Sequence, residues 1–235
     1  MVLPFYLALT AAEISLLSSL PERCAYMACH FSPYTEGISN LPDVLAPGSI
    51  LILNDRMPCQ GHSAGLVAQQ LSDAVAHLEC ESVLLDFQRP PEPESRAMVH
   101  AITQALLCPV AVTESFSEGL SCPVFLAPCP LDMPIEQYLH PWSGREIWLE
   151  AALCQERITV TKSGTAYAPV FPTQQLEGGF YEKKLHCRYH SVVSTDSITF
   201  TLFDTFETLE EKLEHVQSLG VTRAVGLYQE LGVRF

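Results

Sequence analysis

The residues best suited to chemistry stand at the ends of short apolar runs. S-V-L-L-D-F-Q ends in Asp86 and Gln88, C-A-Y-M-A-C-H in His30, and I-L-I-L-N-D-R in Asn54, Asp55 and Arg56. P-V-A-V-T is followed by Glu114, E-I-W-L-E-A contains Glu150, and R-A-V-G-L-Y-Q leads to Glu230. Two carboxyls set about 5–10 Å apart can break a glycosidic bond by acid–base chemistry, and burial moves one of them toward the working pH. Glu114 and Glu150 are the candidate acids, and Asp86 with Gln88 is the central polar pair. His30, Asn54, Asp55 and Glu230 are candidate ligand contacts. Trp148 and Tyr228, with Phe31 and Phe116 nearby, offer aromatic faces to a sugar ring. Each residue also has a plainer reading. A strand-end carboxylate often only accepts backbone or arginine hydrogen bonds, and Asn54-Asp55-Arg56 suits a turn. Glu150 has Arg145 and Arg157 close in sequence, a lone histidine is more often a satisfied one, and large aromatics more often build a core.

Such residues act together only on a scaffold that brings several strand ends to one face. Eight apolar runs occur, at 4–9, 24–31, 49–54, 82–87, 109–113, 123–127, 146–151 and 223–228. They lack the polar alternation of a strand with one wet face, which marks a parallel sheet covered on both sides. Helical patterns lie between several of them. Thr10 and Glu13 form a capping box, and 62–78 repeats apolar residues at helical spacing. Residues 94–107 align Met98, Ile102 and Leu106, and a last helix runs from near Glu207 to Gly220. This alternation predicts a (β/α)8 barrel, whose sites lie where the strands end. The segments near 31–48 and 114–122 have room only for loops or single turns. Residues 157–204 read as antiparallel strands: R-I-T-V-T, a turn at K-S-G-T, A-Y-A-P-V (166–170), L-H-C-R-Y-H-S-V-V and S-I-T-F-T-L-F. The expectation is one irregular TIM-like barrel domain over 1–235. Its antiparallel β insertion, at about 157–204, precedes the last helix and strand.

Composition narrows the partners. With 27 acidic against 13 basic side chains, the chain carries a formal charge of -14. It therefore repels phosphate backbones and anionic membrane surfaces. No apolar run reaches the roughly 18 residues of a membrane span, and the apolar N-terminus lacks the basic region of a signal peptide. Nine cysteines are present, without a C-x-x-C pair, mostly in or beside apolar runs. That pattern predicts reduced thiols in a cytoplasmic protein and no metal site. No phosphate-binding glycine loop or G-x-S-x-G elbow appears, so no cofactor is implied.

The segment D-T-F-E-T-L-E-E-K-L-E-H-V-Q-S-L-G-V-T-R-A-V-G-L-Y-Q-E-L-G (204–232) resembles the end of glycoside hydrolase family 18. That family comprises the chitinase-like barrels, and the likeness is greatest to its peptidoglycan- and spore-associated branch. Lys212, Leu219-Gly220 and Glu230-Leu231-Gly232 carry the likeness, and the antiparallel insertion fits it. Under that resemblance Glu81 to Gln88 is the fourth-strand motif D-G-x-D-x-D-W-E. Its third aspartate is kept as Asp86, its middle aspartate is Leu84, and its catalytic glutamate is Gln88. Tyr228 and Gln229 stand where the family has a sugar-flooring tryptophan. An amide can hold a sugar by hydrogen bonds but has no proton to give near neutral pH. The resemblance thus implies a barrel without full activity that binds a small carbohydrate or glycan fragment with N-acetylated sugars. One alternative is a glycosidase whose acid has moved to Glu114 or Glu150. Another is a structural protein whose mouth is plugged by bulky side chains or by the 32–47 loop.

Overall fold

The computed structural model describes residues 3–169, 176–232 and 234. Chain order runs β1 (Phe5–Leu9), α1 (Ala11–Leu16), β2 (Cys24–Phe31), β3 (Ile38–Ser39), β4 (Ile50–Asn54), α2 (Ala64–His77) and β5 (Ser82–Asp86). It continues with α3 (Pro93–Ala105), β6 (Val110–Thr113), β7 (Val124–Leu126), α4 (Ile135–Leu139) and β8 (Ile147–Ala151). Five strands follow, β9 (Gln155–Thr161), β10 (Gly164–Pro169), β11 (Phe180–Glu182), β12 (Cys187–Val193) and β13 (Ser197–Phe203). The last elements described are α5 (Phe206–Ser218), β14 (Val221–Leu227) and α6 (Tyr228–Leu231).

All eight apolar runs become parallel strands, and they close. β1 pairs with both β14 and β2, and the ladder continues through β8, β7, β6, β5 and β4 back to β2. Alternation along each strand sorts the side chains. Tyr6, Ile52, Leu84, Phe125, Trp148 and Val225 fill the barrel interior. Their strand neighbours, among them Leu51, Leu53, Val83 and Leu85, pack outward with Val67 and Leu71 of α2 and Ile102 of α3. Facing parity therefore aims Ser82, Leu84 and Asp86 inward and up the barrel. At the opposite end Arg223 closes the floor. It pairs with Glu81 at 2.9 Å, donates to Ser82 at 2.7 Å, and lies 4.5 Å from the Trp148 ring centre.

The antiparallel insertion is a separate five-stranded sheet in the order β10-β9-β13-β12-β11, placed between β8 and α5. Of the predicted strand A-Y-A-P-V, Val170 lies outside the described residues. A buried ion pair ties the sheet to the barrel. Asp204, just past β13, and Lys212 of α5 meet at 2.8 Å, and Asp204 also accepts from Cys154 N and Thr208 Oγ1. Gly220, at φ +101°, ends α5 in a conformation that side chains disfavour. Four short elements went unpredicted, β3, β11, α4 and α6, and β3 forms a short hairpin with β2 where only loops or single turns were expected. Tyr228, expected to extend the last strand, instead starts α6. Among the described residues no helix is long and apolar enough to cross a membrane.

Candidate functional site

The C-terminal strand ends form an open mouth with three adjoining cavities. A central cavity of about 150 Å3 is floored by Met27, Ile52, Leu84 and Phe125 and rimmed by Asp86, Gln88 and Glu150. A second, about 350 Å3, extends past Gln88 and Glu150 to Thr113 and Glu114. The third, about 560 Å3, extends the other way from Asp86 and Gln88 to His30, Asn40, Asn54 and Arg56. Gln88 touches all three. The 32–47 loop does not plug the mouth: Asn40 only lines the edge of the third cavity.

The predicted residues divide by where their hydrogen bonds go. Asp86 stands at the end of β5, and its Oδ1 accepts from Gln88 Nε2 at 2.5 Å. Burial raises its pKa, the Gln88 bond opposes that, and the nearby Asp55 charge adds to it. Glu150, at the end of β8, is the most perturbed acid of the mouth. Burial, then the charges of Asp86 and Glu230, push its pKa up to about 7. Glu114 lies exposed on a 3-10 turn after β6, at the far wall of the second cavity. These four are brought together across one mouth.

The expected ligand contacts are mostly committed to the protein itself. Asp55 is buried, and its two carboxylate oxygens accept from Gln88 N and Arg89 N, both at 2.9 Å. Arg89 returns the contact by donating to the carbonyls of Asp55 and Arg56. Asp55 is thus a clamp that sets the course of the chain through Gln88. Asn54 donates to Met27 O and accepts from Arg56 N. Glu230 accepts from Leu153 N at 2.5 Å. His30 Nδ1 lies 2.7 Å from the Phe31 carbonyl, which can only accept, so Nδ1 carries the proton. Its Nε2 then accepts from Asn40 Nδ2.

The aromatic platforms need correction. Trp148 has no exposed surface. It lies inside the barrel one layer below Glu150, with Nε1 donating to Glu146, so it presents no face to a ligand. Phe31 and Phe116 are also buried, joined edge to face through Phe87 on the outward side of the strands. Tyr228 is half-buried, packed between the two outer cores. Its ring sits where Gly232 would carry a Cβ, which holds it against α6. The apolar surface the mouth does offer includes Met27, Phe125 and Leu227, which were missed. Interior-facing parity on β2 and β7 was the signal that would have found the first two. Among the described residues no group of histidine, cysteine, aspartate and glutamate side chains is arranged to hold a metal ion.

No family model matches the sequence, and no curated protein does either. Solved structures do. The spore cortex-lytic enzyme SleL of Bacillus cereus superposes with a TM-score of 0.56 at 9% identity, over 100% of this chain and 72% of its own. A chitinase from Chromobacterium violaceum gives 0.54 at 8% identity, over 96% of this chain and 93% of its own. A class V chitinase from Nicotiana tobaccum, solved in complex with NAG4, gives 0.56 at 9% identity over the same shares. At these identities the likeness is one of fold. The chain has the barrel fold of these enzymes.

Proposed function

We propose that the barrel mouth binds an N-acetylated sugar or short glycan, with Asp86 and Gln88 as its central polar contacts. The observation that carries this reading is the meeting of three open cavities at Gln88, whose hydrogen-bond partner Asp86 lines two of them. A sugar brings hydroxyls that both donate and accept, and the pair offers an amide oxygen, a second amide hydrogen and carboxylate lone pairs. Met27 and Phe125 supply the apolar floor that sugar sites use beside such groups. Shared fold with chitinases, one of them solved with NAG4, supports the ligand class. Nine unpaired cysteines, most with thiol pKa values raised by burial, suit a reducing compartment. In the cytoplasm the ligands are short fragments rather than a polymer. Titration with N-acetylglucosamine oligomers and muropeptides tests the reading. An unchanged melting temperature at millimolar ligand would remove its basis.

Glu150 favours a second reading, in which the barrel hydrolyses what it binds. Gln88 cannot deliver a proton, whereas a carboxyl poised near pH 7 beside the same cavity can. On this reading Glu150 protonates the leaving oxygen, and turnover falls as pH rises through about 7 because the acid is then deprotonated. Glu150→Gln and Glu114→Gln separate the candidates. Turnover indifferent to both substitutions would exclude a relocated acid.

A further inference from the structure

The insertion sheet carries an apolar face that the barrel covers only in part. Register puts Tyr167, Ile158, Phe200 and Ser191 in one row across β10, β9, β13 and β12, and Thr165, Val160, Ile198 and Val193 in the next. Alternation along the strands aims both rows to the same side. On that side Leu131, from the loop after β7, packs against Leu202 and Cys187 nearest the barrel. Beyond it the face lies open. Tyr167 is 63% exposed, Phe180 65% and Val193 74%, and Val160 and Ile198 are each more than a third exposed. The two rows contain no charged side chain. Glu156 of β9 and Glu182 of β11, which share this face, stand in the rows toward the barrel.

The connection from β10 to β11, where it is described, covers the other side. Glu177 O and Gly178 O lie 3.3 and 3.5 Å from His190 Nε2 and Arg188 Nη1, and Gly179 fits closely against Phe203 and His190. Arg188, His190 and Phe203 all point to the opposite face, so residues 177–179 run over that one. Glu211 of α5, which accepts from Tyr181, is on that side too. A sheet with one apolar face open to water lacks the second layer against which such faces are buried. Tyr167 and Phe180, about two-thirds exposed, leave on the order of 250 Å2 uncovered between them, from side chains of roughly 150–250 Å2 each. With Val160, Ile198 and Val193 the patch reaches the several hundred Å2 that mark an interaction site.

Charge decides which partner fits. Residues 155–203 hold five of the 13 basic side chains, Arg157, Lys162, Lys183, Lys184 and Arg188, and four of the 27 acidic ones. The insertion is therefore +1, whereas the remaining eight basic and 23 acidic side chains leave the rest of the chain at -15. Two copies that approach barrel to barrel repel strongly. Two that approach sheet to sheet meet through uncharged rows and hold their acidic barrels apart. A basic partner is drawn to the barrel instead, and an acidic one meets no basic side chain in the two rows. An apolar face is also complementary to itself, as a two-fold contact between identical chains requires.

We propose that this face is a self-association surface, on which a second copy of the chain seats the same face to form a two-fold dimer of stacked insertion sheets. The sheets lie about 10 Å apart, the spacing of packed sheets. A contact at the small end of specific interfaces fits a micromolar dissociation constant. The proposal does not depend on glycan binding at the mouth. Sedimentation velocity of the full chain, over concentrations from below micromolar to near millimolar, tests it. The expected result is a monomer that becomes a dimer, with tighter association as salt screens the barrels. Val193→Asp sets like charges across the contact and weakens dimerisation at least about tenfold. Tyr167→Asp repeats that loss from β10. Val192→Asp, on the opposite face and 66% exposed, leaves dimerisation unchanged. All three positions are exposed, so at low concentration each variant keeps the melting temperature of the wild-type monomer. A chain that is monomeric at every concentration overturns the proposal. So does a dimer indifferent to Val193→Asp and Tyr167→Asp, or one that Val192→Asp weakens equally.

Discussion

Glu150 links the stability of the barrel to the chemistry of its mouth. Its carboxyl rises from an ordinary 4.5 to about 7, first by burial and then by the charges of Asp86 and Glu230. The folded chain therefore keeps a proton that the unfolded chain releases. Stability from this group is present in full below the unfolded value of 4.5 and is lost as pH rises through about 7. At about 1.4 kcal/mol for each pH unit, that interval corresponds to about 3 kcal/mol. Glu150→Gln places a neutral isostere in the same space and should remove this dependence. Urea unfolding of both proteins at pH 5 and pH 8 checks it, read as the difference between them so that other titrating groups cancel. Near pH 5 the two should be close. By pH 8 the variant should be more stable by about 3 kcal/mol. A difference that stays constant across this range would refute the claim that burial holds Glu150 protonated.

Two further substitutions probe the frame around the site. Lys212→Met leaves Asp204 buried without its cation and should cost about 3–5 kcal/mol in urea unfolding. Asp204→Asn in the same chain should recover part of that loss, and a single variant that loses under 1 kcal/mol would contradict the role of the pair. Asp55→Ala strands the Gln88 and Arg89 amides and should cost about 2 kcal/mol. It should also weaken glycan binding, because the two carboxylate oxygens of Asp55 hold the backbone that carries Gln88. Amide hydrogen exchange at Gln88 and Arg89 checks this directly, because unchanged protection would mean that the clamp does not hold them.

The barrel was legible because its strands are apolar on both faces, a pattern that few other positions in a fold require. C-A-Y-M-A-C-H-F and S-V-L-L-D-F showed it plainly, and both became strands at or near the expected bounds. Depth along a strand was not legible. Glu150 and Trp148 share one face of β8, yet two residues of rise put one at the rim and the other in the sealed interior. Nor can the sequence say which polar atoms the fold itself consumes. Asp55 looked like a ligand contact because it follows a strand end. The return of the β5 loop, 33 residues away, supplies the amides that occupy it. Met27 and Phe125 were passed over because barrel-floor residues look like any other core residue until facing parity is assigned.

A crystal structure of the protein soaked with a chitin disaccharide tests the central claim most directly. Sugar density across the central cavity, bonded to Asp86 and Gln88 and resting on Met27 and Phe125, is the predicted result. A mouth that holds only water at millimolar sugar, or sugar bound away from Asp86 and Gln88, would contradict it.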